Sequence, residues 1–371
     1  MEELYEISVS LITCSPGTEV WANYGHTAIR VQDPSQGFDY TFNYGLFSFD
    51  TPNFIWRFCT GETDYCVGAF DTGRFLSEYK AENRQVTQQK LNLTSQEALA
   101  IKEALIVNCR PENRFYRYNF FYDNCATRVR DMVERNVSEQ ISYEAPAPYA
   151  NLREVLNFYT ADYPWTGFGI SLVLGPECDV PSSLRYQTFA PEILQASFAN
   201  ATLRGEPLVG ETTILCPIDP SRLPEKASAP GPQLTMWTLF ALGAAATLLG
   251  RKHKRHLWGV DIALSAILGI AGLVIGFLVF FSEHPATSPN WLLIWLNPLP
   301  FIYAAALCFS GFRNSRKALW CSAFWLLPLL AGVVCMVLKL QFFHPAVLPL
   351  LLLAGVRSAF SLSELVRSRR G

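Results

Sequence analysis

Histidine is scarce in this 371-residue chain: there are five, and four of them (His253, His256, His284 and His344) fall in the last third. Any imidazole chemistry in the front part must use His26, and a histidine-based metal site is not expected there, because zinc takes three or four protein ligands. Acidic residues are nearly missing from the back: of 32, only Asp261, Glu283 and Glu364 lie beyond residue 234. Excess basic charge is missing overall, since 30 Lys and Arg leave a net charge of −2. With half the residues hydrophobic, this excludes a disordered chain, a collagen-like one and a highly basic nucleic-acid binder. No leader is visible at the start either: Met1-Glu2-Glu3-Leu4 is acidic, with no basic region running into an apolar one. No internal repeat is visible.

What is there divides in two. The front carries a net charge of −11 and the back +9, and the mean hydropathy of +0.15 averages the two. Beyond residue 234 come five apolar runs, at about 235–250, 257–281, 291–311, 318–338 and 345–362. Most approach the ~20 residues needed to cross a bilayer core, although Arg357 interrupts the last. Arg251, Lys252, Lys254 and Arg255 follow the first run, Arg313, Arg316 and Lys317 the third, and Arg367, Arg369 and Arg370 the fifth. The intervening loops at 282–290 and 341–345 have no Lys or Arg. By the positive-inside rule the basic loops and the C-terminus are cytoplasmic and the front part is exported. Export requires a signal, so Met1 is expected to stand where a native leader was replaced. The domains expected are an exported one at 1–206, a Pro/Ser-rich tether at 207–233, and a membrane domain of about five transmembrane helices at 234–371.

Seven of ten cysteines lie in the exported part, where disulfides can form. Seven is odd, so at least one thiol is unpaired or bridges chains; Cys178–Cys216 is a plausible pair.

Around His26 two β-rich runs flank the turn composition Asp33-Pro34-Ser35-Gln36-Gly37. A hairpin folded about Pro34-Ser35 pairs Ile29 with Tyr40, Arg30 with Asp39 and His26 with Asn43, giving one largely apolar face. A two-residue shift puts Thr41 opposite His26 instead. An amide facing the ring could hold a neutral imidazole in one tautomer, leaving the other nitrogen as a base. A half-buried histidine bonded to a neighbour fits the same pattern.

The aromatic stretch from Tyr116 to Tyr122 gives way at Asp123-Asn124, good N-cap residues, to a helix-compatible run through about Arg135. Cys125 then falls in the first turn, where backbone N–H groups and the dipole lower a thiol's pKa and can bind an oxyanion. Arg128 and Arg130 add positive potential, and Asp131 could pair with either. A buried structural cysteine, or half of a disulfide, is the plainer alternative. Elsewhere, Thr94-Ser95-Gln96-Glu97 is a capping box opening a helix to about Asn108. Phe54–Phe58 and Trp165–Phe168 are aromatic patches expected in the core, with lipid contact as the alternative.

A His on an early strand followed by a Cys at a helix start resembles the circularly permuted papain-like (NlpC/lecithin:retinol acyltransferase-like) fold. More closely, Cys14-Ser15-Pro16-Gly17, Gly25-His26-Thr27-Ala28, Asn43-Tyr44-Gly45 and Tyr122-Asp123-Asn124-Cys125-Ala126-Thr127-Arg128 look like the Lnb N-terminal periplasmic domain family, over roughly residues 5–160. The resemblance implies an α+β thiol acyltransferase domain followed by an all-α membrane bundle, in the bacterial inner membrane. It implies a phospholipid acyl donor, a diacyl lipoprotein acceptor, a Cys125 thioester, His26 as base, Asn43 or Thr41 orienting it, and no cofactor, metal or nucleic acid. Tyr24, Asn124, Ala126, Arg128 and Asp131 are expected around the pair, with the Cys125 and Ala126 N–H groups in an oxyanion hole; the chain is expected to be a monomer. Two rivals share these features: a membrane-anchored cysteine hydrolase (a peptidoglycan peptidase or lipase) and a non-catalytic envelope sensor or scaffold.

Overall fold

The computed structural model describes residues 6–19, 22–47, 52–222 and 229–367. The chain forms two units, one from Met1–Thr160 and Val180–Lys226, the other from Ala161–Asp179 and Ala227–Gly371.

The first unit is mixed α and β. Its main sheet contains β1 (Ser8–Cys14), β2 (His26–Asp33), β3 (Phe38–Leu46), β4 (Asp64–Asp71), β5 (Val86–Leu91) and β6 (Phe115–Arg117). A small second sheet has β7 (Ser142–Tyr143), β8 (Ala201–Leu203) and β9 (Glu206–Pro207), and β10 (Val209–Cys216) returns to the main one. The main order is β10-β5-β1-β2-β3-β4-β6, antiparallel throughout. The stretch read from Pro207 as a tether therefore begins as an edge strand. Its Thr212-Thr213-Ile214 core favours extended backbone, a signal that the surrounding proline and serine concealed.

The central hairpin has the expected faces and a different register. Ala28 pairs with Asn43, Ile29 with Phe42 and Arg30 with Thr41. Residues 34–36 take a short 3-10 turn closed by Gly37 at φ 61°, in the left-handed region glycine favours. Four residues therefore connect the strands where two were expected. A shift of two preserves the facing of every side chain, so Ile29, Val31 and Phe42 are still buried. Arg30 still reaches Asp39, now diagonally, with its Nε donating to Oδ1 at 2.8 Å.

Both faces of the central strands are covered. On one, Leu11, Ile29, Val31 and Phe42 meet Ile101 and Leu105 of the helix Ser95–Asn108, and Ala126, Val129 and Val133 of the helix Cys125–Arg135. On the other, Ile12, Cys14 and Ala28 meet Phe75 and Tyr79 of the helix Thr72–Ala81. The Ser95 helix opens with the expected Thr94/Glu97 capping box and is tied to the hairpin by the buried Lys102 Nζ–Asp33 Oδ2 ion pair at 2.6 Å. Cys216, considered as half of a disulfide, is a buried, unbridged thiol donating to Leu76 O. The aromatic helix Phe54–Thr60 is not core: Ile55, Trp56 and Phe58 are exposed.

In the second unit four helices are long and apolar enough to cross a membrane: Pro232–Lys252, Trp258–Phe281, Arg316–Val337 and Val347–Arg367. The third apolar run, expected as another, breaks into a 3-10 turn (Trp291–Ile294) and a short helix (Leu299–Leu307). Pro298 and Pro300 remove backbone donors there, and Asn297 Oδ1 caps Leu299 N–H. Any Cβ at Gly269 or Gly272 would strike the backbone of Phe301 or Asn297, so this broken segment lies tightly on Trp258–Phe281. Arg357, from the last long helix, donates to Asp261 Oδ1 at 2.8 Å and to Thr247 Oγ1 at 3.0 Å, and His256 Nε2 lies 2.9 Å from Asp261 Oδ2. The helix Pro164–Val173 belongs to this unit; its Phe168 packs with Leu292 and Trp295.

Candidate active site

Cys125 is the first residue of its helix and Asn124 the N-cap. Asn124 is buried and fully engaged. Its Oδ1 accepts from Ala126 N–H at 2.9 Å and Thr127 N–H at 3.0 Å, and its Nδ2 donates to Phe120 O and Phe189 O, both at 2.9 Å. These bonds fix the first turn against the preceding loop and against the distant Phe189. They also commit the Ala126 N–H, one of the two groups expected in an oxyanion hole. The Cys125 N–H is not among the groups Asn124 engages and lies toward its own thiol.

His26 opens β2, where it would face Gly45 across the ladder. Gly45 has φ +91°, and a Cβ there would sit 3.8 Å from Cys125 Cβ, so the Cys125 helix comes close to the sheet at this glycine. Asn43, two residues before Gly45, points to the same side and bonds the ring: Oδ1 lies 2.6 Å from His26 Nε2. An amide oxygen only accepts, so Nε2 carries the proton of the neutral ring. Nδ1 has no partner among the described residues and keeps its lone pair.

Burial pushes His26 down to about 4; the Asn43 bond opposes this and the Arg84 charge adds to it. The ring is neutral at pH 7. Burial also pushes the Cys125 thiol up, against the pull of the Thr27, Ala126 and Cys125 N–H groups. The helix terminus thus does not leave a resting thiolate, contrary to the sequence-based expectation, because lost hydration outweighs the backbone dipoles. The ground state is a neutral thiol beside a neutral base.

Both line a cavity of about 150 Å³ walled by aromatic rings, among them Tyr24, Phe47, Tyr65, Tyr118 and Phe120. Phe189 and Pro191, far along the chain, close it. Tyr24 stands edge-on to Phe120 at 5.0 Å. The aromatic stretch before Cys125 signalled part of this wall; no local signal marked Phe189.

The other candidates sit elsewhere. Thr41 is buried with its Oγ1 3.0 Å from Thr72 Oγ1, which leaves Asn43 as the partner of His26. Arg128 makes a two-pronged bridge to Asp123 at 2.6 and 2.8 Å and covers the Tyr116 ring at 3.7 Å. Asp131 accepts from Arg130 and Arg185 on a separate surface. Neither lines the thiol cavity. Among the described residues no cluster of three or more His, Cys, Asp or Glu side chains could hold a metal ion.

No curated protein and no solved structure matches the chain at a significant level. Two family descriptions do, and together they span most of it: residues 3–157 match the Lnb N-terminal periplasmic domain and residues 224–369 the Lnb transmembrane domain. With a Gly-His strand and an Asn-Cys helix brought to one cavity in the first match, and apolar helices filling the second, the chain is a membrane protein with a periplasmic N-terminal domain and belongs to the Lnb family.

Proposed function

We propose that the protein is a lipoprotein N-acyltransferase that moves a fatty acyl chain from a phospholipid to the α-amino group of a diacylglyceryl-cysteine lipoprotein. The observation that carries this reading is the aromatic cavity shared by an unbridged Cys125 and by His26 held by Asn43. We read the fold as a circularly permuted papain-like one, with the histidine strand preceding the cysteine helix, in the inner membrane with a cytoplasmic C-terminus.

His26 Nδ1 takes the thiol proton as Cys125 Sγ attacks the ester carbonyl, so a thiolate forms only as the C–S bond does. The Cys125 N–H donates to the developing oxyanion. Collapse breaks the ester C–O bond; the imidazolium protonates the departing lysophospholipid and a thioester remains. The lipoprotein amine then attacks, His26 takes its proton, the C–S bond breaks, and that proton returns to sulfur as the amide forms.

The aromatic wall supports an acyl donor over a polar peptide. Phe47 in that wall stacks on Phe54 at 5.8 Å, next to the exposed Ile55, Trp56 and Phe58, which gives the approach an apolar rim. Such a rim also limits water, the competitor for the thioester.

The test is mass spectrometry of Cys125 after incubation with phospholipid, with and without a diacyl lipopeptide. An adduct passed to the lipopeptide amine is expected. Release only as free fatty acid assigns a hydrolase, and no adduct, with full cellular activity of Cys125→Ser, assigns a non-catalytic role.

A further inference from the structure

His26 has a second cavity on another side. This one measures about 390 Å³ and shares Gly25 and His26 with the aromatic pocket. Its remaining wall is polar and charged, including Glu19, Glu82 and Arg84, with Tyr79 beneath. One histidine thus separates a small aromatic chamber from a larger charged one.

Arg84 is nine-tenths buried. Its Nε donates to Ser15 O at 2.9 Å, its Nη1 to Glu82 Oε2 at 3.0 Å, and its guanidinium lies over the Tyr79 ring at 4.7 Å. Nη2 has no acceptor among the described residues. Nη2 is shut off from solvent, so an anion entering the cavity would bind Arg84 in place of Glu82 on Nη1. The Glu82 partner is itself 60% exposed, so exchanging it for a ligand oxygen strands no buried carboxylate. Glu19 is also exposed at the cavity. One guanidinium and two carboxylates complement a ligand that carries an anion and a hydrogen-bonding cation together.

Resting on the acyltransferase reading, we propose that this cavity receives the headgroup of the donor lipid, with its phosphodiester on Arg84 and a primary ammonium on Glu19 and Glu82. The favoured donor is then a phosphoethanolamine lipid. The glycerol backbone links phosphate and ester carbonyl through a few bonds, so it spans His26 from the charged chamber to the thiol. A quaternary ammonium offers Glu19 and Glu82 no N–H, and a glycerol headgroup offers them no charge, so both are disfavoured.

The experiment measures single-turnover acylation of Cys125 in the full-length protein. Donors are vesicles of phosphatidylethanolamine, phosphatidylcholine or phosphatidylglycerol with identical chains, and dispersed diacylglycerol. Wild type is expected to prefer phosphatidylethanolamine at least ten-fold over the other two phospholipids. Arg84→Gln is expected to lower the ratio of phospholipid to diacylglycerol rates at least ten-fold; because it is a ratio within one variant, a folding defect does not mimic it. Glu19→Gln with Glu82→Gln is expected to bring the ethanolamine-to-choline ratio close to one. Equal wild-type rates from all donors, or an Arg84→Gln ratio equal to wild type, overturn the headgroup assignment while leaving the acyltransferase standing. No acylation from any donor overturns both.

Discussion

His26 and Asn43 are not cross-strand partners, yet their side chains lie 2.6 Å apart. The ladder sets Asn43 against Ala28, and the amide reaches the ring along the diagonal between neighbouring rungs, a distance long side chains cover. A positioned base of this kind contributes roughly 10²–10⁴-fold. His26→Ala is expected to remove that whole factor from Cys125 acylation. Asn43→Ala, which frees the ring without deleting it, is expected to cost about 10–100-fold. Single-turnover acylation with a saturating donor separates the two; an Asn43→Ala rate equal to wild type would remove Asn43 from the mechanism.

The pH dependence follows from burial. Free histidine titrates near 6.5, whereas His26 is pushed down to about 4. The neutral ring is the base, so the acid limb of the acylation rate is expected near pH 4, with little change between pH 6 and 7. In stability the sign is the same: below about 6.5 the unfolded chain binds a proton that folded His26 refuses, so this contribution is lost as pH falls from there. Asn43→Asp places a carboxylate on the ring and is expected to move the acid limb upward. An acid limb that stays near pH 6.5 in wild type would contradict the buried neutral imidazole.

Thiol reactivity gives an independent check. With its thiol pushed above the ordinary value, Cys125 is expected to react slowly with iodoacetamide at pH 7, at a rate still rising beyond pH 9. Peptide mapping of the alkylated residue measures this directly. A plateau below pH 8 would mean a preformed thiolate.

Asn124 joins the nucleophile to the scaffold. Asn124→Ala frees two first-turn N–H groups and two loop carbonyls, with an expected loss of about 2 kcal/mol, the upper range for a cap. Asn124→Asp keeps the cap and loses the two donated bonds, so its midpoint in denaturant should fall between wild type and Asn124→Ala.

Lys102 and Asp33 supply a fifth test. The Lys102→Met substitution leaves Asp33 charged and buried and is expected to cost about 3–5 kcal/mol. Adding Asp33→Asn should recover much of it, read from the shift in thermal midpoint.

The chemistry of the site was more legible in the sequence than its geometry. Asp123-Asn124 announced the helix start, because capping is local. Alternation revealed which way His26 and Asn43 face but not their rung, since a slide of two rungs leaves every side chain on its face. The enclosure of Cys125 had no local sign: Phe189, which helps close its cavity, arrives 64 residues later in the chain. Among the apolar runs, counting residues missed the break at Pro298 and Pro300, where backbone donors rather than hydrophobicity decide.

The bridge from Arg357 to Asp261 spans 96 residues of sequence, and this imposes an order on biogenesis. The carboxylate emerges from the ribosome in the second long apolar helix, and its counter-charge arrives only with the last. Until translation is nearly finished, Asp261 has only the nearby His256 as a partner. The final helix therefore completes the polar cluster, its guanidinium joining residues of the first two long helices, Thr247 and Asp261, in one buried junction.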